Sequence, residues 1–293
     1  MSESLTLDRR THAFRPDLAD AALEGRVVAD RFVEGAPRRI AIPSTPIRRA
    51  PRSDAAIDSE ALRGERVKVF EETMEGWAWA QLETDGYVGF IASDALGADD
   101  PAPTHRVTAL RTFVYPAADL RLPPVAALSL GSEISLGREV ETRGMLYRLL
   151  ADGSGAVIAR HVAPMGAAAE PDFVTVAERF LNVPYLWGGR TSLGLDCSAL
   201  VQLALAAAGI AAPRDSDQQA AGLGQPVEGG LSAELIRGDL IFWPGHVGML
   251  RDAETLLHAS GYQMMVVSEP LAEATARIAA STGHQPSIIR RIG

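Results

Sequence analysis

Between about residue 40 and residue 165 hydrophobic and polar positions alternate in short runs broken by turn residues. Arg66–Glu72 (RVKVFEE), Trp77–Glu83 (WAWAQLE) and Tyr87–Ala92 (YVGFIA) alternate or cluster as the strands of a small barrel do. Gly97–Thr104 (GADDPAPT) reads as a linker. A second set of β-type runs follows, from about Arg106 to Met165. TPIRRAPRSDAA from Thr45 has a counterpart in TFVYPAADLRLP from Thr112, and DGYVGFIASDAL from Asp85 has one in DGSGAVIARHVA from Asp152, an offset of 67 both times. A diverged duplication predicts two tandem barrels of about 60 residues each. A single larger β-sandwich is the alternative. Upstream, residues 1–37 form a polar arm in which DLADAALEGR has the composition of a short helix.

From Pro171 the pattern becomes α+β. PDFVTVAERFLN predicts a helix with Phe173, Val176, Ala177 and Phe180 on one face. Arg237–Leu271 predicts three or four antiparallel strands with short turns. The expected organisation is an arm (1–37), two barrels (38–98 and 104–166) and an α+β domain (170–293).

Between that helix and those strands lies PYLWGGRTSLGLDCSALVQLALAAAGI, which holds the only cysteine, Cys197. Asp196 is suited to cap a helix start and Gly209 to end it, so Cys197 falls in the first turn. Amides and aligned dipoles there favour an anion, which predicts a lowered thiol pKa and a place for an oxyanion. Gly188, Gly189 and Gly194 would let the backbone pass close to a substrate. A lone cysteine is also often just a small buried hydrophobe.

A thiolate nucleophile needs a base, and the base an orienting group. Of six histidines, His246 and His258 lie in predicted strands, GHVGML and TLLHAS. A hairpin with the loop Arg251–Ala253 sets Leu250 against Glu254, Gly248 against Leu256 and His246 against His258 on one sheet face. His246 is then the expected base and His258 its orienter. A surface polar pair is the plainer alternative. Zinc is a further one, but no CxxC or HxxxH spacing or fourth ligand supports it; no metal and no cofactor are expected.

The totals narrow the setting. At 47% hydrophobic and 22% charged, the chain has the composition of a globular protein. A formal net charge of -9 is not the footprint of a nucleic-acid binder. No apolar run reaches the ~18 residues of a membrane span. The first residues do not resemble a secretory signal, and one cysteine cannot form an internal disulfide, so a cytoplasmic location is expected.

In order, PYLWGG, LDCSALV, GDLIFW, GHVGML and LLHAS resemble the NlpC-type (NlpC/P60) papain-like cysteine peptidases, which hydrolyse peptides of bacterial peptidoglycan. The resemblance spans about Asp172 to Pro270. It implies Cys197 as nucleophile, His246 as base and His258 as orienter. It also implies that Tyr185 contacts the attacked group, that Asp196 and Ser198 bind polar substrate atoms, and that Asp215 and Ser216 of PRDSDQQA contact a D-glutamyl part. Two bacterial SH3-like barrels ahead of such a domain resemble a subgroup that cuts the γ-D-glutamyl–diamino acid bond of free wall peptides with an N-terminal L-Ala. In that subgroup the first barrel reads the amine, for which Glu65 and Tyr87 are the expected residues here. The implied partner is a small murein peptide, and the implied setting is murein recycling.

Overall fold

The structure is a computed structural model describing residues 7–293. The chain forms two compact units, Met1–Met165 and Gly166–Gly293.

In the first unit, seven strands form a sheet in the order Ile57–Leu62, Ser44–Arg48, Val88–Ala92, Trp77–Leu82, Arg66–Glu72, Ala36–Ile40, Leu96–Gly97. Period-two alternation builds it: Val67 and Val69 point inward from RVKVFEE while Arg66 and Lys68 stay half-exposed. Ile40, Ile47, Ala78, Ala80, Leu82, Tyr87 and Ile91 complete one apolar cluster. Its elements recur 67 residues later: strands open at Ser44 and Arg111, and at Arg66 and Glu133. The second set closes its own cluster around Val107, Val114, Leu128, Ile134, Leu150 and Val157. The first unit thus holds a separate apolar cluster within each set of strands. The sets touch where the Glu133 amide donates to the Arg63 carbonyl at 2.7 Å. Gly64 has a φ of +84° at this contact, and a Cβ on it would lie 2.1 Å from the Glu133 carbonyl.

The arm differs from expectation. Instead of a helix, DLADAALEGR makes one 3-10 turn, Ala21–Leu23, capped by Asp20, and Gly25 turns away at a φ of +76°. So short a segment gains too little from internal hydrogen bonds to stay helical. What holds the arm is burial. Ala13 and Leu18 pack with Phe70 and Trp79, and the Arg15 guanidinium lies 4.4 Å over Trp79 and 2.6 Å from Glu71. Residues 1–6 of the arm lie outside the described residues.

The second unit carries helices α1 (Phe173–Glu178), α2 (Cys197–Ala207), α3 (Ser216–Gly222) and α4 (Leu271–Thr282). Its six-stranded sheet runs Gln225–Pro226, Ile288–Arg291, Leu240–Trp243, His246–Leu250, Thr255–Ser260, Met265–Pro270. Leu271 and Ala274 of α4 pack with Ile241, Trp243, Leu250 and Leu256. Helix α2 is buried from Cys197 to Leu205 and contacts the strands His246–Leu250 and Thr255–Ser260. That contact brings the thiol to the histidines.

Candidate active site

The start of α2 forms as expected. Asp196 Oδ1 accepts the Ala199 amide at 2.9 Å, and Gly209 closes the far end at a φ of +77°. The electrostatics differ from expectation. Cys197 is 6% exposed, and burial, with the Asp196 charge second, pushes its thiol up to about 12. Hydrogen bonds from the Val247 and Ser198 amides, and the charge of Arg214, act in the lowering direction but are outweighed. At neutral pH the group is therefore a thiol, and its proton has to leave during attack.

The Val247 amide ties the thiol to the histidine strand. Pro244 followed by Gly245, at a φ of +76°, has the residue order of a type II turn and delivers His246 as the first residue of its strand. The next hairpin is two residues out of the expected register: Leu250 faces Leu256 and Met249 faces Leu257. Its loop is set by Arg251 donating to the Thr255 carbonyl at 2.9 Å. A two-residue shift keeps every side chain on its face. His246 and His258 meet diagonally, with Nε2 to Nδ1 at 2.7 Å. Gly248 makes this possible, since a Cβ there would lie 3.1 Å from His258 Cβ. Burial, together with the neighbouring His258, holds His246 down at about 3, so its imidazole is neutral at pH 7.

Two residues behind the histidines were not anticipated. His258 Nε2 lies 2.7 Å from Glu269 Oε1. Arg277 of α4 donates to both Glu269 oxygens at 2.6 Å. Burial alone would raise the Glu269 carboxyl, but the bonds from His258 and Arg277 dominate and hold it at about 2. The signal available in the sequence was an acid on the strand after LLHAS, which pairs Glu269 with Leu256 two places from His258.

Asp196 and Ser198, expected to bind substrate, are instead engaged within the protein. The Asp196 carboxylate accepts from the Gly188 amide, the Ala199 amide, the Ser198 hydroxyl and both terminal nitrogens of Arg214. Arg214, 1% exposed, also donates to Ser198 Oγ at 2.9 Å. Gln219 donates to the carbonyls of Ser198 and Pro213. PRDSDQQA thus braces the nucleophile through Arg214 and Gln219. Asp215 and Ser216 begin α3 and are half-buried.

Tyr185 is half-buried, its amide bonded to the Met264 carbonyl. Burial, then the nearby Cys197, raises its phenol above the usual value, so it is a donor at neutral pH. Gly189 and Gly194 serve close backbone packing and not a substrate: a Cβ on Gly189 would lie 2.6 Å from the Gly194 carbonyl. Glu65 and Tyr87 are each 5% exposed. Glu65 accepts the Leu62 amide at 2.6 Å within a turn, and Tyr87 belongs to the first apolar cluster. Both read as structural residues of their barrel, not as the exposed amine contacts expected of them. Among the described residues no group of three or more His, Cys, Asp or Glu side chains is arranged to hold a metal. Among the same residues no helix is long and apolar enough to cross a membrane.

A family profile described as NlpC/P60 matches residues 182–278, and one described as a bacterial dipeptidyl-peptidase SH3 domain matches residues 47–96. The chain is 34% identical over 103 residues to dipeptidyl-peptidase 6 of Lysinibacillus sphaericus, covering 35% of this chain and 36% of that protein. It is 34% identical over 97 residues to a γ-D-glutamyl-L-lysine dipeptidyl-peptidase of Bacillus subtilis, covering 30% and 31%. The matched stretch thus spans about a third of these relatives' length. An NlpC/P60 family protein from Bacillus cereus has the same fold at a TM-score of 0.71 and 20% identity, covering 87% of this chain and 99% of that one. The second unit therefore has the papain-like fold and carries an NlpC/P60 domain, with a bacterial SH3 domain ahead of it in the chain.

Proposed function

We propose that the protein is a cysteine peptidase that hydrolyses the γ-D-glutamyl–diamino acid bond of short peptidoglycan-derived peptides bearing an N-terminal L-Ala. The observation that carries this is Cys197 as the first residue of α2, bonded by the Val247 amide, next to the strand that holds the His246–His258 pair. The dipeptidyl-peptidase names of the relatives support the substrate class.

In the first step His246 takes the thiol proton while Sγ attacks the γ-carbonyl. The oxyanion is held by amides at the start of α2 and by the Tyr185 hydroxyl. Protonated His246 gives its proton to the leaving amine, which departs with the diamino acid. Water, deprotonated by His246, then opens the thioester. L-Ala-γ-D-Glu leaves as a free acid and the thiol is restored. Asp215 and Ser216 are the groups assigned to the D-glutamyl part. Neither a nucleic acid nor a membrane has a part in this reaction, and recycling of wall peptides in the cytoplasm is the setting that such released substrates imply.

The test is mass spectrometry of L-Ala-γ-D-Glu-diaminopimelate and its N-acetylated form after incubation with the protein. Cleavage of the free peptide alone is expected, and Cys197→Ala should abolish it with the circular dichroism unchanged. Cleavage of both would remove the amine requirement. Cleavage of neither by folded protein would sink the substrate assignment. A second reading, action on wall polymer, is favoured by 38% identity over 112 residues to the peptidoglycan endopeptidase RipB of Mycobacterium tuberculosis. Digestion of intact sacculi would select it.

A further inference from the structure

A pair of neutral histidines joined by one hydrogen bond has two tautomeric arrangements, and only one leaves a base. If His246 Nε2 carries the proton and donates to His258 Nδ1, then His246 Nδ1 holds a bare lone pair for the thiol. If His258 Nδ1 donates instead, His246 Nδ1 carries a hydrogen and has nothing to accept with. The 2.7 Å between the rings fits both equally. The choice is made one residue further out, where His258 Nε2 meets Glu269 Oε1 at 2.7 Å. An ionised carboxylate only accepts, so His258 Nε2 must carry a hydrogen, its Nδ1 is bare, and His246 Nε2 donates.

A lone carboxylate would overdo this. It would draw a further proton toward the ring pair, and that proton on His246 Nδ1 would remove the base. Arg277 opposes that by occupying both Glu269 oxygens at 2.6 Å. The arginine is itself held, its guanidinium 5.1 Å over the Tyr262 ring. Gln263 Nε2 is also near the carboxylate, 3.5 Å from Oε2.

We propose that Glu269 and Arg277 are a positioning pair: Glu269 selects the tautomer that makes His246 Nδ1 the base, and Arg277, by occupying the carboxylate, keeps a further proton off His246. The proposal rests on the reading of His246 as base. The charged and titratable groups around His246 are His258, Glu269 and Arg277 on one side, with Glu273 and Tyr262 behind the arginine. On the other side is Cys197, with Asp196, Arg214 and Tyr185 near it. Arg277 lowers the proton affinity of His246 and Glu269 raises it, in the senses the proposal needs.

The experiment is the rate of Cys197 alkylation by iodoacetamide in the full chain from pH 3 to 8, over the range in which the protein stays folded. Cys197 is the only cysteine, so the reading is specific, and no substrate is involved. Arg277→Gln should move the acid limb of the profile up by about one pH unit, as loss of a nearby cation does. Arg277→Lys should restore most of it. In Glu269→Gln, Arg277 would take the amide oxygen and turn the NH2 toward His258. That variant should lower the plateau by at least about tenfold without moving the limb upward. Purely structural roles would lower thermal stability and leave the limb of Arg277→Gln where it was, which would overturn the proposal. Should Arg277→Gln not fold, the 15N shifts of the wild-type His246 ring decide: a bare Nδ1 and a protonated Nε2 at pH 7 are expected, and the reverse overturns the proposal. Both readings are independent of peptide cleavage, so a failed substrate assignment and a failed positioning role are told apart.

Discussion

Arg214 shows most sharply how a single residue carries the site without touching chemistry. It is 1% exposed and its two terminal nitrogens reach both Asp196 oxygens, the same carboxylate that caps α2. Removing one member of a buried ion pair strands the other, at a cost of about 3–5 kcal/mol. Arg214→Leu should therefore lower the unfolding free energy by that order, read from the urea midpoint. It should also lower activity, because the stranded Asp196 no longer holds the first turn that presents Cys197. Arg214→Lys is not a rescue, since an ammonium cannot make the two-pronged contact. A second residue-scale outcome concerns the thiol. Its folded-state pKa is raised from 9.0 to about 12, so it favours the fold while protonated. That contribution is complete below pH 9 and is lost as pH rises toward 12. Cys197→Ala should show a smaller fall in stability over that window than the wild type in chemical denaturation.

Among the elements, the hairpin from His246 to Ser260 sets the site. Its strands need close approach at one point, where Gly248 faces His258. An added Cβ there meets Leu256 Cδ1 at 2.8 Å and His258 Cβ at 3.1 Å. Overpacking of this kind costs about 1–3 kcal/mol. Gly248→Ala should displace the His258 ring and cut the rate of the chemical step by about tenfold or more, measured in single turnover, while the protein still folds. The β segments of the first unit show the same rule in another form. Strands repeat at an offset of 67 residues, and each set closes its own apolar cluster because the inward positions repeat with it.

For the whole molecule, pH response and chain accessibility are the measurable properties. His246 is lowered from 6.5 to about 3, so the unfolded chain takes a proton that the folded one refuses. Its contribution is complete above pH 6.5 and is lost as pH falls toward 3. Glu269 is lowered from 4.5 to about 2, and its contribution is present above 4.5 and lost as pH falls toward 2. Thermal midpoints should decline from about pH 6.5 and more steeply below about 4.5, with His246→Asn flattening the upper part of that decline. The two compact units join along the chain between Met165 and Gly166, where an exposed stretch from Gly166 to Ala169 begins. Limited proteolysis should cut there first and yield two resistant fragments, because exposed backbone without strand or helix bonding is what a protease can take up.

The sequence by itself determined what depends on near neighbours. Period-two runs placed the strands at Arg66–Glu72 and Trp77–Leu82, an aspartate and a glycine bounded α2, and the repeat announced a second β set. The nucleophile and the two histidines could be named because their motifs are local. The hairpin register was missed by two residues, since Arg251–Ala253 and the observed loop offer similar turn residues and only cross-strand packing chooses between them. The tertiary structure alone decided what depends on distant charges and on exclusion of water. It turned an expected low-pKa thiol into a buried neutral one, drew Asp196 away from substrate into a bond with Arg214, and set Glu269 and Arg277 behind His258. It also turned Glu65 and Tyr87 inward. Helix caps, turns and alternation act over a few residues and are written in order along the chain. Desolvation and ion pairing are sums over everything that folding brings near, and they take their values only once the fold has closed around them.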